Sequence, residues 1–271
     1  MYKLIASDLD ETLLDDHKQI STKSLDAIHK ARELGIKFVP STGRGFTLVQ
    51  NVLRDLGLHD AAEEYVISFN GGMITENKQN KVIDFNGLPF DTIHTLFRLG
   101  IKKNVGIQVY TKTDVYIYRF NNDERNYLKN LTDSYIELKE PDISFLKDES
   151  LVKILFQNTN IPYLQTIRDE VLTFLDIPLS ITYSSNRYLE FNQFGVDKGS
   201  ALLKLANLLN IDRKEIIGIG DNHNDISLIS SAGLGICVSN AAPDAKEHAD
   251  YICQATNNES AIAEVIEKYV L

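Results

Sequence analysis

The sequence predicts an α/β protein, a doubly wound parallel sheet interrupted by an inserted α+β module. Three observations point there. The first and last thirds alternate short apolar runs with stretches that are apolar every three or four residues. The middle third instead alternates residue by residue around a turn. Polar side chains crowd immediately after the apolar runs, where an open parallel sheet binds its ligands.

Tyr2 to Ser7 reads as a buried strand. Ser21 to Leu34 carries Leu25, Ile28, Ala31 and Leu34 at helical spacing, with Ser21 as N-cap and Gly35 where a C-cap belongs. Ile36 to Pro40 is a second strand, Phe46 to Leu56 a second helix closed by Gly57, and Val66 to Phe69 a third strand. In the middle, Ile107 and Val109 face Val115 and Ile117 across a turn at 112–114, a hairpin. Helices are expected at Glu124 to Leu131 and Leu164 to Leu175, and strands at Val152 to Phe156 and Leu179 to Tyr183. The pattern then returns to the first: helix from Lys198 to Leu209, strand Ile216 to Ile219, helix Asp225 to Ser231, strand Leu234 to Val238, and a closing helix from Ser260 to Val270. Residues 85–187 are read as the inserted module, and 1–84 with 188–271 as one outer domain.

The 271 residues are 43% hydrophobic and 24% charged, the balance of a globular chain with a sizeable core. No apolar run approaches the roughly 20 residues of a membrane span. The opening run is too short for a signal peptide. A net charge of −10 argues against a nucleic-acid partner, which demands a basic face. Cys237 and Cys253 are too sparse for a metal or redox cluster and read as buried thiols in a reducing compartment. The expected location is the cytoplasm, with no membrane partner.

Three strand ends carry chemistry. In Asp8-Leu9-Asp10-Glu11-Thr12, alternate residues point the same way, so Asp8 and Asp10 can face one site as nucleophile and as general acid and base. Alone, such a pair reads rather as a strand-end turn with solvated acids. Ser41-Thr42-Gly43-Arg44 offers a hydroxyl, backbone N–H groups and a guanidinium for a phosphate, or else an ordinary N-cap. In Gly220-Asp221-Asn222-His223-Asn224-Asp225, the two acids lie one helical turn apart and suit Mg²⁺, or form an Asx-rich turn; His223 reads as a solvent-facing loop residue. Lys198 opens a helix, where a cation is mildly unfavourable, a small hint of an anionic partner, although on its own it reads as a solvated lysine. Together and in this order, the four signals reinforce one another.

In these motifs the sequence resembles the haloacid dehalogenase-like (HAD) phosphatases, within them the Cof-type (class IIB) group. Asp8 to Leu14 resembles the first motif, Ser41 to Arg44 the second, Lys198-Gly199 the third and Gly220 to Asp225 the fourth. Asn70-Gly71-Gly72 is similar to the group's turn after the third strand, and Ser239-Asn240-Ala241 with Lys246 to its C-terminal signature. The resemblance implies a Rossmann-like core with a cap domain that excludes water and selects the leaving group. It implies Asp8 as nucleophile and Asp10 as the acid that protonates the leaving alcohol and then activates water. Thr42 and Lys198 would hold phosphoryl oxygens. Mg²⁺ would take Asp8 and Asp221 by side chain, Asp10 by its carbonyl, and Asp225 through water. Gly43, Arg44, Asn70 and Asn224 would line the substrate. The substrate implied is a small phosphorylated metabolite, such as a sugar phosphate. Two other readings remain at this point: a phosphomutase using the same aspartyl phosphate, and a non-catalytic phosphometabolite-binding protein. The chain would be a monomer or homodimer. One departure stands out, since Glu11 occupies a position that is usually Gly in the family's first motif.

Overall fold

The computed structural model describes residues 1–129 and 135–271. They form two compact units, one of residues 1–85 with 196–271 and one of residues 86–195.

The chain opens with strand β1 (Leu4–Ser7), every residue of it buried. Helix α1 (Thr22–Glu33) follows, capped by the Ser21 hydroxyl, which accepts from the Ser24 N–H at 3.2 Å. Strand β2 (Lys37–Pro40) comes next. The single helix expected over Phe46 to Leu56 is instead a 3₁₀ turn (Phe46–Val49) running into a short α2 (Gln50–Asp55). The Gln50 side chain takes the Phe46 carbonyl at 2.7 Å, the acceptor that Gln50's own N–H would use in a continuous α-helix. Strand β3 (Tyr65–Ser68) continues into β4 (Met73–Glu76) and β5 (Lys81–Phe85), an antiparallel meander absent from the sequence expectation.

The second unit begins with helix α3 (Phe90–Lys102), also unanticipated. Strands β6 (Gly106–Thr111) and β7 (Val115–Tyr118) form the expected hairpin. Helix α4 (Asn122–Leu128) matches the start of the stretch expected at Glu124 to Leu131, whose last two residues lie outside the described residues. Strand β8 (Ile136–Leu138), strand β9 (Leu151–Gln157), helix α5 (Ile161–Phe174), strand β10 (Leu179–Ser184) and strand β11 (Tyr188–Gln193) complete it. The six strands make one sheet in the order β10-β11-β9-β6-β7-β8. Ile107, Val109, Ile154, Phe156, Leu189 and Phe191 point to one face and bury against α3 and α5. The other face is polar: Lys153 and Glu190, both buried, pair at 2.5 Å. Residues 188–195, assigned to the outer domain from sequence, therefore belong to the second unit. Leu189 and Phe191 fill its core, alternating with Tyr188, Glu190 and Asn192, which are buried on the polar face.

The chain returns to the first unit through α6 (Lys198–Leu208), β12 (Ile216–Gly220), α7 (Ile226–Ser231), β13 (Leu234–Cys237), the short α8 (Pro243–Lys246), β14 (Tyr251–Ile252) and α9 (Ala261–Tyr269). The core sheet runs β14-β13-β12-β1-β2, parallel throughout. Leu4 and Ala6 pack toward α6 and α7, and strand alternation sends Ile5 to the opposite face. Both faces are buried, which is why β1 and β12 read as continuous apolar runs. From β1 the chain steps to β2 on one side and, after the insertion, to β12 on the other. The crevice at the carboxyl end of β1 is thus a topological switch point, the place where such sheets bind ligands.

Candidate active site

Asp8 follows the last residue of β1 and extends the parallel ladder, its N–H donating to the Ile219 carbonyl at 2.9 Å. The chain then tightens around Leu9, whose carbonyl accepts from Leu13 at 3.1 Å and Leu14 at 2.8 Å. Glu11 sits in this turn at φ +60°. That left-handed backbone costs an L-residue roughly 1–2 kcal/mol relative to glycine, a physical reason for glycine at this position. The turn is tied from the far end of the chain. Asn240 Nδ2 donates to the Glu11 carbonyl at 2.8 Å, and Asn257 Nδ2 to the Leu14 carbonyl at 3.0 Å. Within the C-terminal signature, then, Asn240 steadies the first motif, while Lys246 binds the Ser239 carbonyl at 2.7 Å.

The end of β12 supplies Asp221 and, through the tight turn after it, Asp225. A Cβ on Gly220 would stand 2.4 Å from the Asp225 Cβ, so only glycine lets Asp225 tuck beneath the strand end. Asp225 Oδ2 accepts from the N–H groups of Asp221 and Asn222, each at 3.1 Å. Its Oδ1 accepts from Lys198 Nζ at 2.5 Å. Lys198 is the first residue of α6, capped by a reciprocal pair of bonds between Asp197 and Ser200. A Cβ on Gly199 would fall 2.2 Å from the Ser227 carbonyl oxygen, so glycine there allows α6 to lie against α7. The result drives the Lys198 side chain inward to 0% exposure, with Nζ also 2.5 Å from Asp8 Oδ1. The sequence hint that Lys198 has an anionic partner thus finds two.

Asp8, Asp221 and Asp225 are all buried and offer oxygens within 4.8 Å of one another. Burial, reinforced by the Asp225 carboxylate, pushes the Asp8 carboxyl well above the ordinary range despite Lys198. The same two causes lift Asp221 to about 7, although Thr12 Oγ1 donates to its Oδ1 at 2.7 Å. Burial works against the Lys198 ammonium, but Asp225 and Asp8 outweigh it and hold its pKa above the usual value. Three carboxyls against one ammonium would, once all ionised, leave two surplus negative charges in an all-oxygen donor set. That set fits a hard divalent cation such as Mg²⁺. Both Asp225 oxygens already accept protein donors.

Asp10 stands apart from that cluster. Arg44 grips its carboxylate in bidentate fashion, Nε to Oδ2 at 2.8 Å and Nη2 to Oδ1. Lys18 Nζ reaches Oδ1 at 2.9 Å. Burial would raise the Asp10 pKa, yet Arg44 first and Lys18 second bring it below the ordinary value. Arg44, expected at the substrate, is here the partner of Asp10. Lys18 went unnoticed in the sequence, because a lysine ten residues after Asp8 in a polar turn carries no periodic signal.

The second strand end is a loop held on itself. Thr42 donates its N–H to the Ile67 carbonyl at 2.9 Å and accepts from the Arg44 N–H at its Oγ1 at 3.1 Å. The Thr42 and Arg44 N–H groups are thus committed within the fold, while the Thr42 hydroxyl keeps its proton to donate. Asn70, at φ +54°, closes the loop through its N–H to the Thr42 carbonyl at 2.9 Å. Its amide oxygen accepts from Asn224 Nδ2 at 3.1 Å, joining the second and fourth motifs. Gly43 packs beside that amide, where a Cβ would lie 3.2 Å from Oδ1. His223 is exposed and pairs with Asp244 at 3.1 Å, away from the buried acids. Cys237 and Cys253 are buried and free. No helix among the described residues is long and apolar enough to cross a membrane.

A family model described as haloacid dehalogenase-like hydrolase matches residues 5–266. The chain belongs to this family. It is 32% identical over 271 residues to 5-amino-6-(5-phospho-D-ribitylamino)uracil phosphatase YcsE of Bacillus subtilis, covering 99% of this chain and 96% of that one. It is 30% identical over 283 residues to YxeH of the same organism, covering 100% and 99%. Among solved structures, a haloacid dehalogenase-like hydrolase from Bacteroides thetaiotaomicron superposes with a TM-score of 0.86 at 27% identity, covering 99% of each chain. The family and its phosphatase relatives make this HAD hydrolase a Cof-type member and an enzyme of the phosphoric monoester hydrolase class. The non-catalytic reading is set aside.

Proposed function

We propose that this HAD hydrolase is a Mg²⁺-dependent phosphatase that cleaves small phosphorylated metabolites through an aspartyl phosphate on Asp8. The observation that carries the proposal is Lys198, fully buried with its ammonium bridging Asp8 and Asp225 beside Asp221. An ammonium locked there orients the Asp8 carboxylate and offsets its repulsion for a phosphoryl dianion.

In this reading Asp8 and Asp221, with the Asp10 carbonyl and Asp225 in support, would hold the cation. When bound, Mg²⁺ supplies neutralisation of the phosphoryl oxygens' charge. The free Asp8 oxygen attacks phosphorus while the bond to the leaving oxygen breaks. Arg44 and Lys18 favour the ionised form of Asp10 in the free protein, so Asp10 first takes up a proton from solvent as the phosphoryl dianion binds beside it; it then delivers that proton to the leaving oxygen, and the alcohol leaves. Asp10, now a carboxylate, takes a proton from water as the water attacks the aspartyl phosphate, which returns Asp8 and releases inorganic phosphate. Thr42 and Lys198 hold the phosphoryl oxygens, and Gly43, Arg44, Asn70 and Asn224 line the approach. The second unit, residues 86–195, is assigned the selection of the leaving group. YcsE, named for a phosphorylated ribityl compound, supports small phosphomonoesters as the substrate class. The two buried free thiols suit a cytoplasmic location.

The test is phosphate release from a panel of sugar, nucleotide and cofactor phosphates, with EDTA and Asp8→Asn controls. Release that requires both divalent cation and Asp8 is expected. Full turnover by Asp8→Asn would remove the nucleophile assignment. Transfer of the phosphoryl group to a sugar hydroxyl rather than water, followed by ³¹P NMR, would favour a mutase.

A further inference from the structure

Lys18 is placed too deliberately for a stray surface charge. Its backbone lies in a turn fixed on both sides. The Asp15 N–H donates to the Gln19 carbonyl at 2.9 Å, and the Lys18 N–H to the Asp15 carbonyl at 2.9 Å. Asp15 Oδ1 accepts from the N–H groups of His17 at 2.8 Å and Gln19 at 2.9 Å. Lys18 itself takes the left-handed backbone at φ +61°, and Leu14 and Ile20 pair across the base of the turn. This turn aims the lysine stem at Asp10, where Nζ makes its one ion pair among the described residues, at 2.9 Å.

Two cations thus converge on one carboxylate, and the carboxylate does not need both. Arg44 alone satisfies each Asp10 oxygen with a guanidinium N–H. Arg44 is also rooted, its N–H on Thr42 and its carbonyl accepting from Phe69 at 3.0 Å. Lys18 makes a single contact from a side chain that is 39% exposed. Of the two, Lys18 is the one free to change partner.

We propose that Lys18 is a specificity residue that binds an anionic group on the leaving portion of the substrate, so that the preferred esters are phosphorylated acids or compounds with a second phosphate. The inference rests on the phosphatase reading above and names the substrate class for it. Asp10 marks the leaving-group side of the reaction, and the surplus positive charge stands on that carboxylate. An ammonium on a fixed turn is a point-charge receptor for a carboxylate or phosphate, without the planar demand of a guanidinium. Once Lys18 turns to such an anion, Arg44 still holds Asp10 in place.

The experiment compares 3-phosphoglycerate with glycerol 3-phosphate, which differ by a carboxylate in place of a hydroxymethyl group. The intact chain with saturating Mg²⁺ is expected to favour the glycerate in kcat/KM by about fivefold, the scale of one partly exposed ion pair, mostly through KM. Lys18→Gln should bring the ratio close to one, Lys18→Arg should keep most of it, and raising the salt to about 0.5 M should erode it in the parent. A ratio that Lys18→Gln leaves unchanged, with kcat reduced for both esters alike, would show that Lys18 only orients Asp10 and would overturn the proposal. Failure of the parent to hydrolyse any ester in the wider panel would instead sink the phosphatase reading itself.

Discussion

Replacing Lys198 by Met keeps the stem's volume while deleting the one cation buried among Asp8, Asp221 and Asp225. Two charge-assisted bonds vanish, and two carboxylates that they satisfied stay behind in a dry site. Breaking a buried pair from one side costs about 3–5 kcal/mol, because the orphaned charge has no water to turn to. With a urea m-value of roughly 3 kcal/mol per molar for a protein of this size, the midpoint should fall by about 1–1.7 M. The chain has no tryptophan, so unfolding is followed by far-UV circular dichroism, in EDTA at pH 7.5. Two conditions sharpen the test. Lowering the pH to 5 should shrink the difference, since burial already favours a neutral Asp8 and a proton then replaces the missing ammonium. Adding Mg²⁺ should stabilise Lys198→Met more than the parent, since a divalent cation compensates the same charges. A midpoint within about 0.3 M of the parent in EDTA, less than about 1 kcal/mol on that m-value, would refute the argument. The acids would then have to be better hydrated than their burial indicates.

Three further outcomes are expected. Because Asp221 rises from an ordinary carboxyl value to about 7 in the fold, the metal-free protein should lose stability as pH climbs between about 4 and 7, and Mg²⁺ should flatten that slope; thermal melts across pH with EDTA or Mg²⁺ check it, and a rising slope in EDTA would contradict it. Glu11→Gly should leave stability unchanged or raise it by up to about 1 kcal/mol, the relief of left-handed strain being partly offset by a freer unfolded chain, whereas Glu11→Gln should weaken Mg²⁺ binding about twofold to fivefold by removing a charge felt at Asp221; urea unfolding and calorimetric titration separate the two effects. Gly220→Ala should destabilise by about 1–3 kcal/mol and displace Asp225, so that a drop in phosphate release accompanies the loss in melting temperature, and an unperturbed variant would show that the strand end can yield.

The parts of the fold that were legible are those with strong periodicity and both faces buried. The apolar runs at Leu4–Ser7, Ile216–Gly220 and Leu234–Cys237 could hardly be anything but central strands. Their ends then pointed to Asp8, Asp221 and Asp225, which the fold does bring together. Edge and meander strands were harder, since Lys81–Phe85 mixes exposed and half-buried residues and bulges against Met73–Glu76. The boundary near 187 failed for a related reason: Tyr188–Gln193 alternates as any amphipathic strand does, and only pairing shows which sheet owns it. At the site, sequence spacing speaks of residues near one another on an element. It therefore missed Lys18 on Asp10, Thr12 on Asp221 and Asn240 on the Glu11 carbonyl, which depend on how turns close. The Glu11 departure was visible as an odd residue, and its left-handed backbone gives the oddity a cost.

The position of β1 at the middle of the core sheet also has a temporal consequence. One edge of Leu4–Ser7 finds its neighbour in Lys37–Pro40 almost at once as the chain emerges from the ribosome, but the other must wait for Ile216–Gly220. At about 5–20 residues per second, that wait lasts on the order of 10–40 seconds. Throughout it, a strand that is apolar but for Ser7 presents an open hydrogen-bonding edge, the configuration most prone to pair with a stranger. The contiguous stretch from Asn86 to Gly195 can pack its own core in the meantime. The half-built sheet cannot, so nascent chains stalled before residue 216 should be the species that chaperones hold and proteases clear.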